Sequence, residues 1–282
     1  MSNMIFEKEF SIGGKLVVNR LGYGAMRITG AGVFGPPADK PESIRVLQKA
    51  IQLGVNFIDT ADSYGPNVSE ELIAEALYPY PGGLVIATKG GFERHGPDKW
   101  TINSSPAHLE KALNGSLQRL KLESIDLYQL HRIDPKVPVE KTFEFLQHAQ
   151  KAGKIKYIGL SEVDVDQIKK AQEFFEVVSV QNMYSVNNRK WEEVLEYCIK
   201  QNIAFIPWYP LGAGNVKSLE VLQEVAKKHK VNPQQIALSW LLHRANNILL
   251  IPGTSKVAHL EENLHAATVV LEKEDLERLD KI

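Results

Sequence analysis

The feature that most constrains this chain is a repeated pattern, not a repeated sequence. A short, mostly apolar run ends at polar or small residues, a loop follows, and then comes a segment with apolar residues at helical spacing. The runs are Arg20–Met26, Asn56–Thr60, Leu84–Lys89, Ile125–His131, Tyr157–Ser161, Val177–Gln181, Ala204–Trp208 and Ile248–Pro252. Near-continuous apolar runs are what strands buried on both faces require, and strands alternating with helices form parallel βαβ units. Eight such units predict an α/β protein built as a closed (β/α)₈ TIM barrel rather than an open doubly wound sheet.

The intervening segments carry helix start signals. Ser105-Pro106 and Asn232-Pro233 each place a capping residue before a proline at the first helical position. Leu109, Leu113, Leu117 and Leu120 then recur at helical spacing, as do Ile236, Trp240 and Leu241. Ser69 is expected to cap the helix whose apolar face is Leu72, Ile73, Ala76 and Leu77. Ahead of the first unit, Ile5–Phe10 and Lys15–Val18 flank Ser11-Ile-Gly-Gly14, which predicts a β-hairpin closing one end of the barrel. Glu272–Leu279 reads as an extra C-terminal helix. No linker or low-complexity stretch divides residues 1–282, so one barrel domain is expected.

Composition narrows the partners. The 282 residues carry 33 Lys+Arg against 34 Asp+Glu, a net charge of −1. Such a balance predicts neither a nucleic-acid nor a membrane partner. The one cysteine, Cys198, cannot form an internal disulfide and is expected to be buried and inert. The first residues lack the apolar core of a signal peptide, and no apolar stretch reaches membrane-spanning length, so a cytoplasmic location is expected. No histidines are paired at metal-ligand spacing, and no metal is predicted.

Barrel active sites form where the strands end, so the residues closing each run are the candidates. Asp59 closes the second run with Tyr64 just beyond, Lys89 closes the third and His131 the fourth. A tyrosine titrates near ~10, too high for an efficient acid at neutral pH, and a neighbouring cation lowers that value. Lys89 supplies the cation, Asp59 compensates it, and His131 can donate to a carbonyl oxygen. The set forms a proton-delivery device for carbonyl reduction. Phe34, in the loop Thr29–Pro37, and Phe92 and Trp100, in the segment Gly90–Asn103, are expected to shape a substrate pocket. Gly22-Tyr-Gly24 lacks the third glycine of a dinucleotide fingerprint and is read as a backbone bend.

These motifs, in order, resemble the aldo-keto reductase superfamily. Ile58-Asp-Thr-Ala-Asp-Ser-Tyr-Gly65 is similar to its Asp–Tyr motif, Ala87-Thr-Lys89 to its lysine strand and Leu127-Tyr-Gln-Leu-His131 to its histidine strand. The resemblance implies reduction of small-molecule carbonyls with NADP(H), Tyr64 giving the proton. It further implies that Ser161 and Gln181 hold the nicotinamide carboxamide and that Trp208 stacks on the ring within Pro207-Trp-Tyr-Pro-Leu-Gly212. Tyr209, Leu211 and Gly212 of that segment, with Ala25 and Met26 after the first run, join the cofactor set. Gly253 also joins the cofactor set; Thr254, Ser255, Lys256 and His259 would surround the adenosine phosphate, and Glu262 and Asn263 the adenine. Glu162 stands where many members have Asn, and Gly253 where many have Lys. Leu21–Met26 with Gly32–Pro37 resembles bacterial reductases related to pyridoxal reductase. A monomer or weak homo-oligomer is the expected state. Two other readings stay open: a Schiff-base aldolase using Lys89, and a cofactor-sensing subunit like the potassium-channel β subunits.

Overall fold

The computed structural model describes residues 6–212 and 219–282. Eight parallel runs close into a barrel. Seven are strands of one sheet: β3 (Tyr23–Gly24), β4 (Phe57–Asp59), β5 (Val85–Gly90), β8 (Ile125–Leu130), β9 (Ile155–Ser161), β10 (Val177–Gln181) and β11 (Ala204–Phe205), each parallel to its neighbour. The eighth run, at 248–252, forms no regular strand. Single bridges link it to both edges, Ile248 to Phe205 and Leu250 to Leu21. Leu249 N donates to Phe205 O, Leu250 N to Arg20 O and Gly22 N to Leu250 O, at 2.7–2.8 Å. These bonds leave the sheet without an edge, and closure removes the liability of unpaired backbone.

Side chains along each strand alternate between the barrel lumen and the helices outside, and the lumen side changes character along its height. Phe57, Val85, Leu127, Val178, Ala204 and Leu249 pack together at the lower end. Ile58, Ile86, Tyr128, Ile158 and Val180 point outward into the helical layer. Two residues on from Phe57 comes Asp59; Val85 leads through Ala87 to Lys89, and Leu127 through Gln129 to His131. The period-2 geometry therefore carries each strand from an apolar floor to a polar mouth.

The predicted hairpin plugs the floor. β1 (Glu9–Ile12) and β2 (Leu16–Asn19) pair antiparallel, and Ile12 and Val18 are fully buried in the floor cluster. The turn falls at Gly13-Gly14, both at positive φ (56° and 70°), so the first strand ends two residues later than the sequence suggested. Ile5, assigned to that strand from the sequence, lies outside the described residues.

The outer helices are α1 (Lys40–Gln52), α2 (Val68–Leu77), α3 (Pro106–Arg119), α4 (Val139–Lys151), α5 (Val165–Gln172), α6 (Glu192–Gln201), α7 (Glu220–His229), α8 (Pro233–Arg244), α9 (Val257–His265) and the C-terminal α10 (Lys273–Leu279). Ser105 and Asn232 cap as expected, Asn232 within a full capping box with Gln235. Ser69 does not. Asn67, at φ 71°, occupies the cap position of α2, and the Ser69 hydroxyl lies inside the first turn, donating to Ala25 O and bonded to Thr60 Oγ1. The segment after β5, expected as loop, forms a second hairpin over the mouth: β6 (Phe92–Gly96) and β7 (Lys99–Ile102). Cys198 is buried in α6, and burial pushes its thiol up to about 12. Among the described residues no helix is long and apolar enough to cross a membrane.

Candidate active site

A cavity of about 670 Å³ opens at the upper mouth of the barrel. At its foot lies a buried polar chain. Lys89 Nζ donates to Asp59 Oδ1 at 2.5 Å, to Thr60 O at 2.8 Å and to Tyr64 Oη at 3.4 Å. Asp59 Oδ2 accepts from the side-chain amides of Gln129 (3.0 Å) and Gln181 (2.9 Å). Lys89 and Asp59 are 0% and 1% exposed. A buried ion pair is tolerable only when its remaining donors and acceptors are met, and here they are. Lys89 uses its three protons on three oxygens. Burial favours its neutral form, but Asp59 and Tyr64 outweigh that and hold the ammonium above its ordinary range. A Schiff-base role needs a free amine, so the geometry argues against the aldolase reading.

The tyrosine departs from expectation. Burial raises the Tyr64 phenol above its ordinary value, and the opposing pull of Lys89 does not overcome it. Tyr64 is thus held as a neutral O–H beside an ammonium and carries its proton at neutral pH. His131 is held neutral. Burial pushes it well below its usual range, with repulsion from Lys89 and Arg132 adding to the effect. Its ring lies edge-on to Tyr64 (centroids 6.0 Å apart) and to Phe92 (4.6 Å), and Nδ1 is buried without a hydrogen-bond partner among the described residues.

Of the residues expected around the cofactor, Met26, Ser161, Gln181, Trp208, Tyr209, Leu211 and Gly253 line the cavity. Ser161 Oγ donates to Gln181 O at 2.8 Å, and the amide nitrogen of Gln181 is turned to Asp59. Gly24 and Gly253 bring the first and eighth runs together: a Cβ on Gly24 would stand 2.4 Å from Ile251 O, and one on Gly253 2.7 Å from Gly24 O. Gly212, at φ 51°, closes the turn after Tyr209 without lining the cavity. Ala25 does not reach the cavity either; it is fully buried, its carbonyl taken by Ser69.

Thr254, Ser255, Lys256, His259, Glu262 and Asn263 form a separate shelf beyond Gly253, on the approach to α9 and along it. Thr254 Oγ1 accepts from Lys256 N and Thr254 O from Tyr23 Oη, while Lys256, His259 and Glu262 are exposed. Asn263 is buried and Ser255 partly so. The replacement at Glu162 has a structural use. The residue sits at φ 53°, and its Oε1 accepts from Met183 N (2.6 Å) and Trp208 Nε1 (2.7 Å), bracketing the tryptophan expected to stack on the nicotinamide.

Phe92 and Trp100 line the cavity as expected, Trp100 edge-on to Tyr64. Phe34 does not; its neighbour Val33 lines the wall, and the Phe34 ring instead meets Arg94. Arg94 went unnoticed in the sequence, yet it donates to five carbonyls, those of Gly32, Val33, Ser63, Gly96 and Lys99, and so fastens the β6–β7 hairpin to both neighbouring loops. Gln129 and Arg132 were also passed over. Gln129 was legible from alternation, two residues before His131. Arg132 follows His131 directly, where the chain has left β8 and alternation no longer tells inside from outside.

The model of the aldo/keto reductase family matches residues 20–282. An uncharacterised oxidoreductase of Schizosaccharomyces pombe is 52% identical over 269 residues, covering 95% of this chain and 88% of that protein. Pyridoxine 4-dehydrogenase of Escherichia coli is 44% identical, covering 97% of each. Among solved structures, the thermostable aldo-keto reductase Tm1743 superposes with a TM-score of 0.84 at 29% identity over 99% of each chain. An aldo-keto reductase of Klebsiella pneumoniae, solved with NADPH, superposes with a TM-score of 0.82 at 23% identity over 98% of this chain and 94% of that one, which is a likeness of fold. The chain belongs to the aldo/keto reductase family.

Proposed function

We propose that the whole chain works as one barrel domain, an NADP(H)-dependent oxidoreductase that reduces an aldehyde or ketone to the alcohol, with Tyr64 as proton donor. NADPH, when bound, supplies the hydride. What supports the reading is the chain Asp59–Lys89–Tyr64 beneath neutral His131 at the foot of one cavity. The site residues suit the cofactor. Close packing at Gly24 and Gly253 keeps the wall free of side chains there, Trp208 is bracketed by Glu162, and the volume lies within the roughly 300–1,000 Å³ of small-molecule sites.

The reading gives each of these residues a role. His131, neutral and flanked by Tyr64 and Phe92, orients a carbonyl oxygen toward the phenol. As negative charge grows on that oxygen, Tyr64 Oη gives up its proton and the Lys89 ammonium stabilises the phenolate left behind. Asp59 holds Lys89 in place and charged. Phe92 and Trp100 exclude water and offer flat apolar faces, which suits an aldehyde on a planar ring. Pyridoxal, the aldehyde corresponding to the substrate in the name of the E. coli relative, is the first to test.

The test follows loss of reduced nicotinamide absorbance with NADPH and with NADH against pyridoxal, methylglyoxal and an activated benzaldehyde, with Tyr64→Phe run in parallel. The expected result is turnover that favours NADPH and falls by roughly 10²–10⁴ in the variant, while NADPH still quenches protein fluorescence. Full turnover by Tyr64→Phe would remove the tyrosine from its role.

A further inference from the structure

Three arginines stand at the mouth: Arg27 lines the cavity from an exposed position, and the two less exposed ones, Arg94 and Arg132, differ in what they hold. Arg94 spends its guanidinium on backbone carbonyls. Arg132 lines the cavity, half-buried, and only its Nη1 donates: to His131 O (2.6 Å) and Ser161 Oγ (2.9 Å). No carboxylate among the described residues forms an ion pair with it. Glu162 compensates part of its charge from beyond ion-pair distance, with its Oε1 accepting from Met183 N and Trp208 Nε1. Asp59 is matched to Lys89. Asp98, the other carboxylate on the cavity wall, is exposed on the turn of the β6–β7 hairpin.

The guanidinium lies 5.4 Å from the Phe92 ring centroid and 5.7 Å from that of Trp208. Aromatic faces at that range offset part of the cost of desolvating a cation and leave its N–H edge unfilled. A fixed charge with spare donors in a cavity of aromatic walls binds an oxyanion strongly, since charged hydrogen bonds gain where water is excluded. The same Phe92 ring touches His131, so one wall spans the reacting carbonyl and the cation.

We infer that Arg132 is the specificity-determining residue for substrate, and that the pocket takes planar aldehydes bearing an anionic oxygen, a carboxylate or phenolate, which pairs with its guanidinium while the aldehyde lies at Tyr64 and His131. The inference rests on the reductase reading above and adds the substrate class to it. Arg132 also steadies the His131 peptide through Nη1, so loss of activity in a variant says nothing alone. The ratio between a charged and an uncharged substrate does.

The experiment compares para-formylbenzoate with its methyl ester, in wild type, Arg132→Gln and Arg132→Lys, recording kcat and KM separately and the Kd of NADPH by fluorescence. Wild type should favour the carboxylate in kcat/KM. In Arg132→Gln that preference should fall by roughly 10- to 100-fold, the worth of a charged hydrogen bond, mainly through KM, and Arg132→Lys should restore part of it. A second pair, salicylaldehyde and its methyl ether, compared at a pH where the phenol is ionised, extends the test to phenolate. Wild type that reduces both benzoates with no preference overturns the inference and leaves the reductase standing; wild type that reduces no carbonyl at all overturns the reductase reading itself. Equal losses on acid and ester in Arg132→Gln mark a purely structural arginine. A loss confined to NADPH binding marks a cofactor contact. Either result also overturns the inference.

Discussion

The foot of the cavity and the shelf at residues 254–263 are built on opposite principles. At the foot, Asp59, Lys89, Gln129 and Gln181 meet one another's hydrogen-bonding needs inside the barrel. On the shelf, Lys256, His259 and Glu262 face solvent. The foot is therefore assembled by folding itself, and its groups carry structure as well as chemistry. The exposed shelf residues carry little of the fold and are free to be chosen for a ligand. The sharpest way to break this contrast is to remove one lysine from each. Lys89→Met leaves the Asp59 carboxylate buried with only two amides and should cost about 3–5 kcal/mol of stability. Lys256→Ala should stay within about 0.5 kcal/mol. Urea melts of the two variants decide it; comparable losses would show that the shelf is structural after all.

Behind the foot lies one carboxyl whose hydrogen-bonding needs folding does not meet. Asp62 Oδ1 is buried with no hydrogen-bond partner among the described residues. Burial, reinforced by Glu70, raises its carboxyl to about 8. Glu70 itself is met by Thr88 and Arg119, so Asp62 is the group left to take up a proton. Its folded value lies above its unfolded one near ~3.9, so between the two the native state holds a proton that the unfolded chain has lost. The stability this contributes is present at low pH and is lost as pH rises through about 8. Relative to Asp62→Asn, wild type should lose roughly 2 kcal/mol between pH 6 and 8. Parallel pH profiles for the two proteins would show instead that the carboxyl is ionised throughout.

His131 adds a change of the opposite sign: held neutral, it makes the fold less stable as pH drops below its ordinary range. That pull is common to wild type and Asp62→Asn, and cancels in their difference.

What the sequence disclosed follows the same division. The barrel and the foot were legible because burial on both faces forces apolar runs, and a polar residue closing such a run has few reasons to be there. Asp59, Lys89 and His131 stood out for that reason. The eighth run was legible too, although the structure gives it bridges in place of a strand, since apolar pattern reports burial rather than pairing. The β6–β7 hairpin was not legible. Phe92-Glu-Arg-His-Gly-Pro-Asp-Lys-Trp-Thr-Ile102 covers the mouth with both faces partly wet, so no alternation survives in it. Arg94 and Arg132 escaped because their roles are set by tertiary contacts with carbonyls and rings remote in sequence. Ser69 was assigned the cap that the backbone gave to Asn67, whose side chain makes no capping bond. The direction at Tyr64 was misjudged for a related reason: the neighbouring cation is visible in sequence, while the depth of burial that outweighs it is not.

The smallest expected effect lies on the shelf. Glu42 of α1 reaches across to α9, where its Oε1 accepts from Val257 N at 3.1 Å, and its other oxygen pairs with Arg45 at 2.7 Å. The Val257 N–H, then Arg45, holds this carboxyl below its usual range, so it is charged at neutral pH. A helix N-terminus favours anions, and a carboxylate already there competes with the adenosine phosphate that residues 254–259 are proposed to hold. The same carboxylate has little bearing on a cofactor without that phosphate. Glu42→Gln keeps an acceptor for Val257 and removes the charge. It should raise the preference for NADPH over NADH by roughly 2- to 5-fold, read as the ratio of the two dissociation constants, and the gain should shrink as salt is added. A ratio that is unchanged or lower in Glu42→Gln would place the phosphate beyond the reach of this carboxylate, and the shelf would then owe its selectivity to Lys256 and His259 alone.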